Sequence, residues 1–123
     1  VVAQKGCSVC YDSASSALEA YEQQKFCRDS EAGEAAAVRV RRMQECDLMI
    51  LDDLGTEMVT PMSVSALYTL INSRLAAGRR TIISTNCTDE ELARRYTPQI
   101  YSRIAGEFVR LPFAGRDIRL RGR

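Results

Sequence analysis

Two adjacent carboxylates, Asp52 and Asp53, follow four consecutive apolar residues, Leu48-Met-Ile-Leu51. An unbroken apolar run of this length reads as a strand covered on both faces, as in a parallel sheet. In open α/β sheets ligands bind beyond the carboxyl ends of the strands, which is where this pair falls. Two negative charges at the mouth of a buried strand are expensive to desolvate. A divalent cation offsets that cost. One carboxylate can hold magnesium, directly or through water, beside substrate phosphates, and the next can polarise an attacking water. The competing reading is structural: many parallel strands end in an aspartate that caps the following helix.

A second apolar strand, Thr81-Ile-Ile-Ser-Thr85, also ends in a polar residue, Asn86. Its amide can donate to a phosphate and accept from a water; as a structural residue it would start the turn into Thr88. Arg103 lies on a helix opened by Thr97-Pro98. Read from the residues alone, it is a surface arginine on an amphipathic helix.

The elements that must position these residues can be read around them. Val1 to Lys5 reads as the last turn of a helix closed by Gly6, and Cys7 to Tyr11 as a short, mostly apolar strand placed in the interior. Ser16-Ala-Leu-Glu19 fits a capping box with Leu18 and Tyr21 behind it. Residues 27–33 read as a loop, and Glu34 to Glu45 as a helix. Thr60-Pro61 supplies an N-cap and first-turn proline for a helix with Val64, Leu67, Tyr68, Ile71 and Leu75 on one stripe, ending at Gly78. Thr88 to Glu91 is a further capping box, and the Thr97-Pro98 helix carries Ile100, Tyr101 and Ile104 before Gly106. Phe108 to Leu111 is expected to be the last core strand, with Asp117 to Arg121 pairing with it beyond Gly115. Alternating strands and helices give an α/β fold with a parallel sheet and one domain.

Composition sets the outer bounds. Hydrophobic content of 46% and charged content of 27% are globular values. The apolar runs are too short to span a membrane, and no leader of basic and apolar character opens the chain. The start at Val1 suggests a segment of a longer polypeptide. Five cysteines without a secretory signal point to a reducing, cytoplasmic setting. Cys7 and Cys10 have CxxC spacing, but no histidine or second pair completes a zinc site, so they read as small strand hydrophobes. The net charge of +1 conceals an asymmetry: residues 1–93 sum to −5 and residues 94–123 to +6, and arginine outnumbers lysine 15 to 2. That balance favours bidentate anion contacts; it is equally compatible with a solvated basic surface.

Hydrophobic-hydrophobic-hydrophobic-hydrophobic-Asp-Asp is the Walker B pattern, and with Asn86 the chain resembles the helicase-loader branch of AAA+ ATPases, the DnaC/IstB-like family. The resemblance is carried by Asp47-Leu-Met-Ile-Leu-Asp-Asp-Leu-Gly-Thr-Glu57, Leu70-Ile-Asn-Ser-Arg74 and Arg80-Thr-Ile-Ile-Ser-Thr-Asn86. It continues through Glu90-Glu-Leu92, Ile100-Tyr-Ser-Arg103 and Gly106-Glu-Phe-Val-Arg-Leu-Pro-Phe113. It implies a three-layer, parallel-sheet P-loop NTPase core that binds ATP and Mg2+. Residues 1–123 would form part of such a domain, from after the Walker A helix to the last core strand. By resemblance, Asp52 would hold the magnesium-water shell, Asp53 would be the catalytic acid and Asn86 the sensor 1 group at the cofactor. Arg103 would be an arginine finger reaching a neighbouring subunit of a homo-oligomer. The implied partners are a replicative DNA helicase and single-stranded DNA, with Arg39-Val-Arg-Arg42 as candidate DNA contacts. An IstB-like transposition helper with a transposase partner and a non-catalytic interaction module are the alternative readings. The departure from the family is the absence of any Gly-x-x-x-x-Gly-Lys-Ser/Thr loop and of the first core strand. The sheet should therefore be incomplete, with the Phe108 strand beside the Thr81 strand or displaced. Without backbone amides and a lysine to cradle phosphates, the polypeptide alone should not hydrolyse ATP. Phosphate release above a matched Asp53→Asn control would refute that expectation.

Overall fold

The computed structural model describes residues 7–113 and 116–121. The expected helix end at Val1–Gly6 lies outside them. The described residues form five strands and five helices in the order β1 (Val9–Ser13), α1 (Ala14–Phe26), α2 (Glu31–Glu45), β2 (Leu48–Leu54), α3 (Pro61–Ala76), β3 (Arg80–Thr85), α4 (Asp89–Arg95), α5 (Pro98–Glu107), β4 (Val109–Phe113) and β5 (Arg116–Arg121). The sheet order is β1-β2-β3-β5-β4. The first three strands are parallel, and β5 runs antiparallel to both β3 and β4. The α/β class and the parallel arrangement of the first three strands agree with the sequence. The antiparallel pairing of β4 with β5 agrees as well. It is β5, however, and not the strand after Phe108, that lies beside β3.

Caps fix the helix starts. Thr60 accepts from Ser63 N–H at 3.0 Å while Ser63 Oγ accepts from Thr60 N–H at 2.8 Å. Thr88 and Glu91 form the same reciprocal box, and Thr97 caps α5. Two starts differ from the sequence reading. The cap of α1 is Ser13 rather than Ser16, whose own N–H donates to Ser13 Oγ. The second helix begins three residues early because Ser30 caps it, drawing Gly33 into its first turn. A Cβ on Gly33 would lie 1.8 Å from the Cys27 carbonyl oxygen, so α1 and α2 can turn this tightly only with glycine there.

Met49, Leu51 and Ile83 point into one core with Ala14, Ala17, Leu18, Met43, Leu67, Ile100 and Ile104. The alternate positions, Leu48, Ile50 and Ile82, are only half-buried. Covering on both faces was expected from the apolar run, yet α1, α2 and α3 pack against one another and α5 packs against α3. Two layers, not three, are therefore formed by the described residues. Strand β1, expected in the interior, is an edge strand: Cys10 is buried, but Tyr11 is 62% exposed. Of the CxxC pair only Cys10 behaves as a buried hydrophobe, whereas Cys7 is exposed.

One charged residue lies inside this core. Arg74, 1% exposed, donates from Nη1 to the carbonyls of Met43 at 2.7 Å and Cys46 at 2.9 Å. Its Nε reaches Thr81 Oγ1 at 2.9 Å and its Nη2 the Arg80 carbonyl at 2.6 Å. The guanidinium thus ties the end of α3 to the end of α2 and the start of β3. Replacing Arg74 with Ala strands these buried acceptors and should remove about 3–5 kcal/mol of stability. Lysine cannot reproduce the planar fork and should recover less than half. Urea unfolding would measure both, and a loss below about 1 kcal/mol would contradict the assignment.

Candidate functional site

Parallel pairing brings the carboxyl ends of β1, β2 and β3 to one edge. Ser13 is opposite Asp52, Leu51 opposite Ile83, and Leu54 opposite Thr85, with an irregularity between Leu51 and Leu54. That irregularity is centred on the acid pair. Asp53 has φ of +56°, the left-handed region, and Gly55 follows at +106°. A non-glycine residue in this conformation costs about 1 kcal/mol or more and persists only where neighbours hold it. Gly55 is required for a second reason, since a Cβ there would meet Cys87 Sγ at 2.2 Å.

What holds the pair is on the flanking strands. Asp53 N–H donates to Ser84 Oγ at 3.0 Å, and the Ser84 hydroxyl donates to Asp52 Oδ1. From the other side the Tyr11 hydroxyl donates to Asp52 Oδ2. Tyr11, Asp52 and Ser84 thus form a row across three strands, on the face of Ile50 and Ile82. Asp52 and Asp53 are half-buried, and Asn86 is exposed in the loop after β3 at the same edge. Arg103 sits half-buried on α5, with no hydrogen bond or ion pair to the described residues. The fold therefore brings Asp52, Asp53 and Asn86 to one edge of the sheet; Arg103 is on a separate element packed against α3. Among the described residues no three His, Cys, Asp or Glu side chains converge. A divalent ion at Asp52 would take its other ligands from water and phosphate, which is how magnesium is commonly held.

The loop after the acids is anchored by a residue that had no assigned role in the sequence. Glu57, 6% exposed, accepts from Gly55 N–H at 2.9 Å and from the Tyr96 hydroxyl. Arg95 Nη2 donates to the Glu57 carbonyl and lies 3.8 Å from its carboxylate. The loop from Asp53 to Thr60 is thereby fastened to the end of α4, immediately before the cap of α5. Sequence could have flagged Glu57 only as an acid between a glycine turn and a helix cap. Ser84 and Tyr11 gave no local signal, because their partners lie 31 to 41 residues away.

A separate apolar groove of about 580 Å3 lies between the N-terminal ends of α3 and α5, lined by Val59, Pro61, Val64, Tyr68 and Thr97. Met58 and Val59 beside it are exposed. No helix of the described residues is long and apolar enough to cross a membrane.

Burial, and then the Glu57 carboxylate, push the Tyr96 phenol well above its usual range. An unfolded tyrosine ionises near pH 10, so the stability Tyr96 contributes is complete below about pH 10 and is lost as pH rises beyond it. Tyr96→Phe should cost about 1.5–3 kcal/mol at neutral pH. It should also flatten the loss of stability above about pH 10, leaving a slope from Tyr21, which burial raises in the same direction. Denaturant titrations at pH 8 and 11 would test this; equal slopes in both proteins would contradict it.

In comparison with known proteins the chain matches no family, no curated protein and no solved structure.

Proposed function

We propose that this chain supplies the metal-and-water part of an ATPase site in a helicase loader of the DnaC/IstB-like AAA+ branch. The observation that supports it most is the acid pair at the open end of a parallel strand, with one acid gripped by hydroxyls and the other in a strained backbone conformation. In this reading Asp52 holds the water shell of Mg2+ bound to ATP, and Asp53 orients the attacking water. Asn86 contacts that water or the terminal phosphate. Arg103 is free of ion pairs to described residues and stands ready for a nucleotide on an adjacent subunit. The magnesium ion supplies charge neutralisation on the phosphates when bound; the chain's own residues orient and polarise. Arg39 is engaged by Asp12 and Ser16, so Arg41 and Arg42, exposed on α2, are the better candidates for phosphates of single-stranded DNA. A cytoplasmic location and delivery of a replicative helicase complete the reading.

The groove beside Met58 and Val59 supports a second reading, a non-catalytic interaction module whose acids are structural. A transposition helper of the same branch would have the same core with a transposase as partner. Filter binding and hydrolysis of ATP by the parent polypeptide separate enzyme from module. Asp53→Asn should retain binding and lower hydrolysis at least about a hundredfold, whereas a module would bind no ATP. Capture of a replicative helicase rather than a transposase would distinguish loader from helper.

A further inference from the structure

We infer that Ser84 is the positioning residue of the acid pair: one hydroxyl sets the orientation of Asp52 and the backbone of Asp53 together. The inference rests on the reading of Asp52 as the metal-shell carboxylate, and adds a residue that this reading did not include.

A serine hydroxyl has a single proton and two lone pairs. Here the proton is directed to Asp52 Oδ1, which leaves a lone pair for Asp53 N–H at 3.0 Å. Each contact fixes the rotor for the other. Ser84 is itself buried, on β3, which is paired on both sides, so its own position is set by the ladders to β2 and β5. The Asp52 carboxylate is consequently oriented by a rigid strand rather than by solvent. Asp53 is kept at φ +56°, which a residue with a Cβ would otherwise leave. Tyr11, whose hydroxyl donates to Asp52 Oδ2, is 62% exposed and so is a less firmly held anchor than the buried Ser84. Groups that orient a metal ligand in this way change metal affinity by about 10- to 100-fold when removed.

The test uses Mn2+ alone as probe, with 15N–1H spectra of the chain and hydrogen exchange of its amides. Wild type should show Mn2+ broadening at the Asp52, Asp53 and Ser84 amides that disappears in Asp52→Asn. Ser84→Ala should require at least about tenfold more Mn2+ for the same broadening, and its Asp53 amide should exchange at least about tenfold faster. Ser84→Thr, which keeps the hydroxyl, should restore both. It also guards against mere loss of folding, which collapsed dispersion of the whole spectrum would reveal. Unchanged Asp53 exchange and Mn2+ response in a folded Ser84→Ala protein would overturn the inference. Absence of any Asp52-dependent broadening in wild type would instead overturn the metal reading, while Asp53 exchange in Ser84→Ala would still decide whether Ser84 holds the pair.

Discussion

A guanidinium buried among neutral acceptors is tolerable only when nearly every donor is used, and Arg74 meets that condition with backbone carbonyls, a threonine hydroxyl and a thiol. Two acceptors come from the last turn of α2 and the residue after it, where the helix dipole places negative partial charge. The others come from the opening of β3. Burial lowers the pKa of Arg74, yet the carbonyl cage favours the charged form. Because the same side chain grips the segment leading into β2 and the start of β3, it bears on how these strands lie side by side. Their register in turn decides that Ser84, and not its neighbour, faces the aspartates. The edge that carries the acid pair is thus influenced from the opposite end of the sheet.

From that register the site follows with few further choices. A parallel pair proceeding regularly past Leu51 would carry the acid pair along as ordinary strand residues. The left-handed turn at Asp53 interrupts the ladder, and Gly55 and Glu57 receive the chain on the far side. Glu57 converts what could be a loose connection into one fastened to α4 through Tyr96 and Arg95. Sheet edge, turn and helix are therefore one mechanical unit, within which two carboxylates remain half-exposed to solvent.

Much of the scaffold was legible locally. The strand Leu48–Leu51 and the caps at Thr60, Thr88 and Thr97 rest on interactions spanning a few residues, and each was readable from residue type and spacing. Misreadings arose where two residues competed for one role or where distance mattered. Ser13 and Ser16 are both capable caps, and only the packed helix decides between them. Gly33 reads as a loop residue because its real constraint is the carbonyl of Cys27 across a tight corner. The apolar run of β2 overstated its burial, since composition does not report whether a second helical layer exists. At the site, the two aspartates and Asn86 were visible as strand-end polar residues. Ser84 and Tyr11 were not, since a serine inside an apolar strand and a tyrosine on an edge strand carry no mark of the carboxylate they serve.

Strand β5 has a place in the sheet that differs from its place in the chain. It is the latest of the described strands, yet it lies between β3 and β4, and β4 pairs with no other described strand. On a ribosome the parallel trio and its helices could collapse as soon as α5 had emerged. Strand β4 would then wait, with its backbone groups unpaired, until the next few residues were synthesised. The hairpin can close rapidly once they arrive, because it spans so little sequence. The described sheet is accordingly extended beyond β3 by a short local element docking on that edge rather than by another long crossover.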